Sequence, residues 1–222
     1  MLDFAEARRN MVDNQVRTFD VTDRAVLAAM DEVPRERFVP ADALSLAYLD
    51  RAIDLRSTGD DHRVMLPPMV LARMLQALAI EAGKRVLDVG GGLGYSAALL
   101  VRLGAEVVTL EEDGSRARAL RERLGEADLA GSVKVLGGEL DGGAPTLAPF
   151  DVILVNGGVE RPPTALIGQL SEGGRLACVE VGDGPGRAVL HVRAGAGTSA
   201  RRLFDIAAPT LSAFRRAPHF TF

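Results

Sequence analysis

The spacing of apolar positions along the chain changes character near residue 84. Before it, apolar residues recur at helical intervals. Met11, Val12, Gln15 and Val16 share one face of a first predicted helix. Val26, Leu27 and Met30 mark a second, with Thr22 as its expected N-cap. Pro34 ends that helix, because a proline pushes the residue before it out of helical geometry. Val33–Pro40 reads as an irregular connector with apolar anchors. Residues 54–68 read as a loop, carrying the turn formers Ser57, Thr58, Gly59, Asp60 and Asp61. A further helix is predicted from Pro68 to about Ala79, with Val70, Leu71, Met74, Leu75 and Leu78 on its buried side.

After residue 84 short apolar runs alternate with helical ones. Strands are predicted at 85–89, 106–110, 133–136, 150–155, 175–181, 187–193 and about 201–208, with helices at 94–103, 114–124 and 162–170. Such alternation predicts an α/β, Rossmann-like domain: a mostly parallel seven-stranded sheet with helices on both faces. The first four strands are continuous apolar runs, as expected of strands covered on both sides. The last two read as an antiparallel finish around the turn Ala194–Gly197. Residues 1–80 form an N-terminal helical extension with a substrate-side loop, and 81–222 the Rossmann-like domain, in one compact unit.

Composition narrows the possible partners. The net charge of -4 gives no basic footprint for nucleic acid, and Trp is absent with only 2 Tyr, so there is no aromatic platform for bases. No apolar stretch approaches the roughly 20 residues that span a bilayer, and the acidic start Met1–Glu6 lacks the layout of a secretion signal. A cytoplasmic protein without membrane partners is expected. Cys178 is the single cysteine, which excludes an internal disulfide and a Cys-based zinc site; within Leu176–Val179 it reads as a buried, inert thiol.

The candidate chemistry begins at Val86-Leu87-Asp88-Val89-Gly90-Gly91-Gly92-Leu93-Gly94-Tyr95. A strand runs into a glycine-dense turn and then into a helix, whose N-terminus offers unpaired N–H groups and a positive potential. A dinucleotide fingerprint would need a third glycine at Tyr95 or Ser96, and neither register fits. Gly90, Gly92 and Gly94 with Asp88 instead give D-x-G-x-G-x-G, which resembles the first motif of Rossmann-like methyltransferases. There the acid lies near the cationic methionine end of S-adenosylmethionine. Glu111 ends the second strand, where a carboxylate can accept from both ribose hydroxyls; Glu112 is its neighbour. Glu139 follows the third strand and is placed to accept from an adenine amino group, with Leu140 covering the ring. These residues make S-adenosylmethionine the expected cofactor and S-adenosylhomocysteine the expected product.

Over most of its length the chain resembles the protein-L-isoaspartate O-methyltransferase family. The matching stretches are Met11–Val16, Val33–Pro40, Ala47–Arg51, Leu71–Leu75, Val86–Tyr95, Pro149–Val155 and Leu170–Leu176. The opening Val33-Pro34-Arg35-Glu36-Arg37-Phe38-Val39-Pro40 is rather specific to this family, whereas the core motifs are shared by methyltransferases generally. The resemblance implies methylation of the side-chain carboxylate of isoaspartyl residues in damaged proteins and peptides. The ester then closes to a succinimide that reopens partly to aspartate.

One segment departs from the family pattern. A T-x-S-Q-P-like stretch precedes the Ala-Arg-Met helix in the family, and its serine sits at the methyl-transfer site. Here the aligned residues are Val64-Met65-Leu66-Pro67-Pro68, so Leu66 takes the serine position and Pro67 the glutamine position. Ser57, Thr58 and His62 are candidate substitutes, against a plain role as exposed loop residues. Asn156 closes the fourth strand and is the second candidate at the reacting methyl, as an amide donor to a substrate oxygen or as a structural cap. Gly157-Gly158 after it fit a narrow way in for substrate. The absence of an Asn-Pro-Pro-aromatic run disfavours methylation of nucleic-acid bases. Two other readings stay open: a methyltransferase with a different acceptor, and a cofactor-binding protein that has lost repair activity.

Overall fold

The computed structural model describes residues 3–55, 63–112, 114–182, 184–195 and 197–216. Helix α1 (Phe4–Met11) opens on Asp3, whose carboxylate accepts from the Ala5 and Glu6 N–H groups. The chain then widens into a π-turn over Val12–Val16 and tightens into a 3-10 turn over Arg17–Phe19, until Asp20 at φ 61 stops it. Helix α2 (Arg24–Glu32) starts one residue later than expected. Asp23, not Thr22, is its cap: its carboxylate accepts from the Ala25 and Val26 N–H groups. The connector after Pro34 is more ordered than its sequence suggests, with 3-10 turns over Arg35–Phe38 and Ala41–Leu46.

Strands β1 (Ile53–Asp54) and β2 (Val64–Met65) pair antiparallel and lead into helix α3 (Pro68–Leu78), which buries the five apolar residues expected of it. The main sheet is built from β3 (Arg85–Val89), helix α4 (Tyr95–Arg102), β4 (Glu106–Glu111), helix α5 (Gly114–Glu126), β5 (Val133–Gly137), β6 (Phe150–Val159), the single turn α6 (Thr164–Ile167), β7 (Leu170–Glu180), β8 (Arg187–Ala194) and β9 (Gly197–Asp205). Its seven strands run in the order β5-β4-β3-β6-β7-β8-β9, with β8 antiparallel to both of its neighbours and the other pairs parallel. The predicted helix at 162–170 shrinks to α6, because β7 already begins at Leu170 and pairs there with Phe150. The last strand starts at Gly197, not near 201.

Two apolar layers flank the sheet. One joins Met11, Met30 and Phe38 of the N-terminal segment to Leu75 of α3, Leu99 of α4, Leu120 of α5 and Val86 and Leu154 of the sheet. The extension therefore shares its core with the strands. The other layer contains Leu87, Leu110, Phe150, Ile153, Cys178 and Phe214 and is roofed mostly by irregular chain, with α6 and a 3-10 turn at Ser212–Phe214. Cys178 is wholly buried there. Among the described residues no helix is long and apolar enough to cross a membrane.

Candidate functional site

Register places the site. Val89 of β3 stands beside Leu110 of β4 on one side and Val155 of β6 on the other. The next residue of each strand is Gly90, Glu111 and Asn156, so these three emerge together at the carboxyl edge of the sheet. The chain order reverses between β3 and β6, which is where open α/β sheets form a ligand crevice.

The glycine turn lies flat on its surroundings. A Cβ at Gly91 would fall 2.4 Å from Thr109 Oγ1 and 2.6 Å from Asp88 Oδ2, which no side chain tolerates. Gly90 needs its positive φ of 70 and would push a Cβ to 2.8 Å from Arg63 Nη2. Gly92 donates its N–H to Glu111 Oε1 at 2.5 Å, and Gly94 opens α4. Tyr95 buries its ring under the Arg35 guanidinium, which lies 4.7 Å from the ring centroid.

Asp88 is wholly buried and accepts three side-chain hydrogen bonds. Its Oδ2 accepts from Ser96 Oγ at 2.9 Å and Thr109 Oγ1 at 3.2 Å, and its Oδ1 accepts from Asn156 Nδ2 at 2.7 Å. Burial pushes its carboxyl up to about 6, although the three donors pull it back. Asn156 also gives Nδ2 to the Val89 carbonyl at 3.2 Å. Its amide nitrogen thus fastens β6 to β3 and is not directed at a substrate oxygen. Gly157 and Gly158 do not open a path for substrate either. A Cβ on Gly157 would strike Leu211 at 2.7 Å, and one on Gly158 would lie 2.9 Å from the Ala208 carbonyl, because the C-terminal segment crosses there.

Glu111 is wholly buried and forms an ion pair with Arg63, Nη2 to Oε1 at 2.7 Å, while its Oε2 accepts from the Glu112 N–H at 3.2 Å. Burial pushes the Glu111 carboxyl up, and Arg63 and the two N–H groups pull it back. A cavity of about 180 Å³ lies beside it, bounded by Leu55, Arg63, Gly92, Leu93, Ser115, Arg116 and Ala119. A smaller one, about 20 Å³, separates Leu66 from Gly90–Gly92, Tyr95 and Asn156. Leu66 is buried there beside Leu55, Met65 and Leu71, and its carbonyl accepts from Arg35 Nη2 at 2.8 Å.

Three expected cofactor residues lie elsewhere. Glu112 turns to the C-terminal segment and accepts from Ser212 Oγ at 3.0 and 2.9 Å. Leu140 is wholly buried in the second core layer, so it is packed under the sheet and not laid over a ring. Glu139 is exposed and lines neither cavity. Leu55, Leu93 and Ala119 furnish the apolar walls instead. Ser57, Thr58 and His62 lie outside the described residues.

Sequence reasoning missed Arg63 and Arg35. Arg63 stands in a turn-rich stretch where nothing marks an arginine as buried. Arg35 stands between Pro34 and Glu36 in an irregular connector and reads as surface, yet it is wholly buried and donates Nε to the Ala47 carbonyl at 2.8 Å.

The glycine cradle and the buried carboxylate beside an apolar-walled cavity fit a nucleoside bearing a ribose, as S-adenosylmethionine does. The comparisons point the same way. The family model described as protein-L-isoaspartate(D-aspartate) O-methyltransferase matches residues 6–201. A protein-L-isoaspartate O-methyltransferase of Methylorubrum populi is 38% identical over 186 residues, covering 84% of each chain. One from Koribacter versatilis is 39% identical over 205 residues, 91% of this chain and 88% of the relative. Among solved structures, a protein-L-isoaspartate O-methyltransferase superposes with a TM-score of 0.81 at 25% identity, covering 92% of this chain and 66% of that one. A crystal structure from Plasmodium falciparum assigned to the same enzyme, in complex with S-adenosyl-L-homocysteine, gives a TM-score of 0.79 at 20% identity, covering 93% and 98%, and speaks to the fold alone.

Proposed function

The chain belongs to the protein-L-isoaspartate(D-aspartate) O-methyltransferase family, and from that premise we propose that it methylates the carboxylate of isoaspartyl residues in damaged proteins. It is an S-adenosylmethionine-dependent methyltransferase. The observation that carries the reading is the convergence of the glycine turn, buried Glu111 and the apolar wall around Leu66 at the carboxyl edge of a sheet with this family's fold.

When bound, S-adenosylmethionine supplies a sulfonium methyl group. Glu111 would hold the ribose hydroxyls, and the Gly90–Gly92 main chain would lie along the amino-acid end. Leu55, Leu93 and Ala119 would flank the adenine. A carboxylate acceptor has a pKa near 4 and needs no general base at neutral pH, so the chain's task is orientation and exclusion of water. Leu55, Met65, Leu66 and Leu71 serve the second task. Opposite charges disappear in this transfer, and a dry apolar wall favours that loss. The cytoplasmic location read from the sequence and the division into residues 1–80 and 81–222 belong to the same proposal.

A second reading is favoured by Leu66 itself: the same chemistry on another acceptor. Chromatography of an isoaspartyl peptide incubated with the enzyme and cofactor separates the two. Net conversion to the aspartyl peptide through the succinimide supports repair. Methyl transfer to lysate components without such conversion supports the other acceptor.

A further inference from the structure

We propose that Arg63 and the ribose of the cofactor are alternative partners of Glu111, so that binding proceeds by exchange and Arg63 sets the affinity. The inference rests on Glu111 being the ribose carboxylate. A carboxylate offers about four acceptor directions. In Glu111 one oxygen takes Arg63 Nη2 at 2.7 Å and the Gly92 N–H at 2.5 Å, and the other takes the Glu112 N–H at 3.2 Å. Two ribose hydroxyls cannot be added while Arg63 keeps its place.

The guanidinium also takes up room. It lies over the glycine turn, with Nη2 2.8 Å from where a Cβ on Gly90 would stand. That is the space through which a ligand reaches the Gly90 main chain. The arginine is delivered there just beyond the β1–β2 pair, where the Leu55 N–H donates to the Arg63 carbonyl at 2.9 Å and the Leu55 side chain lies over Gly92. The Arg63 side chain is 3% exposed and that of Glu111 0%, so both charges have been taken out of water. Such a pair adds little net stability to the fold, yet a buried charge left alone is costly, so Arg63 leaves Glu111 only as other donors take its place. Apparent affinity then falls by the fraction of molecules in which Arg63 has left.

Calorimetry with S-adenosylhomocysteine and with adenosine, which carries the ribose alone, tests this on wild type, Arg63→Met, Glu111→Gln and the double variant. Arg63→Met is expected to tighten both ligands by roughly 10-fold or more, since apparent affinity is scaled by the fraction of molecules in which Glu111 stands free of its competitor. Glu111→Gln is expected to weaken both, and in its presence the Arg63→Met gain should vanish. Weaker or unchanged binding by Arg63→Met, with Glu111→Gln still harmful, overturns the exchange and leaves the ribose assignment standing. A gain that persists in the Glu111→Gln background also overturns it. No effect of Glu111→Gln removes the ribose assignment and the exchange with it. A readout on wild type needs no variant to fold: the Arg63 guanidinium proton signal should be protected from exchange and lose protection on adding adenosine. Retained protection at saturation contradicts the proposal.

Discussion

Replacing Asp88 by Asn should make the folded protein more stable at neutral pH. Asp88 is buried without a cationic partner among its hydrogen-bond donors, and its carboxyl is raised from 3.8 to about 6. An acid raised on folding binds its proton more tightly in the folded state. Its contribution is therefore favourable at low pH and is lost as pH climbs from about 4 to about 6. A shift of roughly two units corresponds to about 3 kcal/mol at pH 7. Asparagine carries no charge to desolvate and can keep the contacts. Its oxygen can accept from Asn156 Nδ2, while its amide donates to the Ser96 and Thr109 hydroxyls, which can turn to accept. Allowing for imperfect geometry, Asp88→Asn should gain about 1–3 kcal/mol at pH 7.5. Urea unfolding of both proteins at pH 7.5 and pH 4 reads this out. The gain should shrink towards zero at pH 4, where the folded wild type is already protonated. Destabilisation at pH 7.5, or an equal difference at both pH values, would show that the buried Asp88 charge does not cost stability.

Further outcomes follow from the same geometry. Gly91→Ala places a methyl 2.4 Å from Thr109 Oγ1 and 2.6 Å from Asp88 Oδ2, so it should cost about 1–3 kcal/mol in thermal or urea unfolding and abolish measurable cofactor binding. Arg35→Met removes donors from the buried Ala47 and Leu66 carbonyls and should cost about 2–4 kcal/mol in urea unfolding. Leu66→Ser supplies the hydroxyl that the resemblance to the family implies at this position. It should raise kcat/KM for an isoaspartyl peptide roughly 10-fold or more, as expected for one positioned donor, and a fall would favour a different acceptor.

The strands and their order of chemistry were legible because burial on two faces writes itself as apolar runs. Asp88, the glycine turn and Glu111 were singled out from local spacing and from the resemblance to the first methyltransferase motif, and register brings the turn and Glu111 to one edge. What failed depended on distant chain. Leu140 follows a strand end as an adenine cover would, but the side of the sheet it packs on is set by Phe150, Leu166 and Leu170 beyond it. Asn156 reads as a donor to substrate until Asp88 is seen 2.7 Å away across the β3–β6 seam. Thr22 and Asp23 are adjacent N-cap residue types, and only the structure shows that it is the Asp23 carboxylate that takes the free N–H groups of Ala25 and Val26. Arg63 and Arg35 carry no periodicity, and only the fold reveals that an arginine has been drawn inside.

Labelled methyl from S-adenosylmethionine should enter a synthetic isoaspartyl peptide, with its aspartyl twin left unlabelled under the same conditions and with multiple turnovers per enzyme. Equal labelling of the two peptides, or none in either while S-adenosylhomocysteine still binds, would contradict the account.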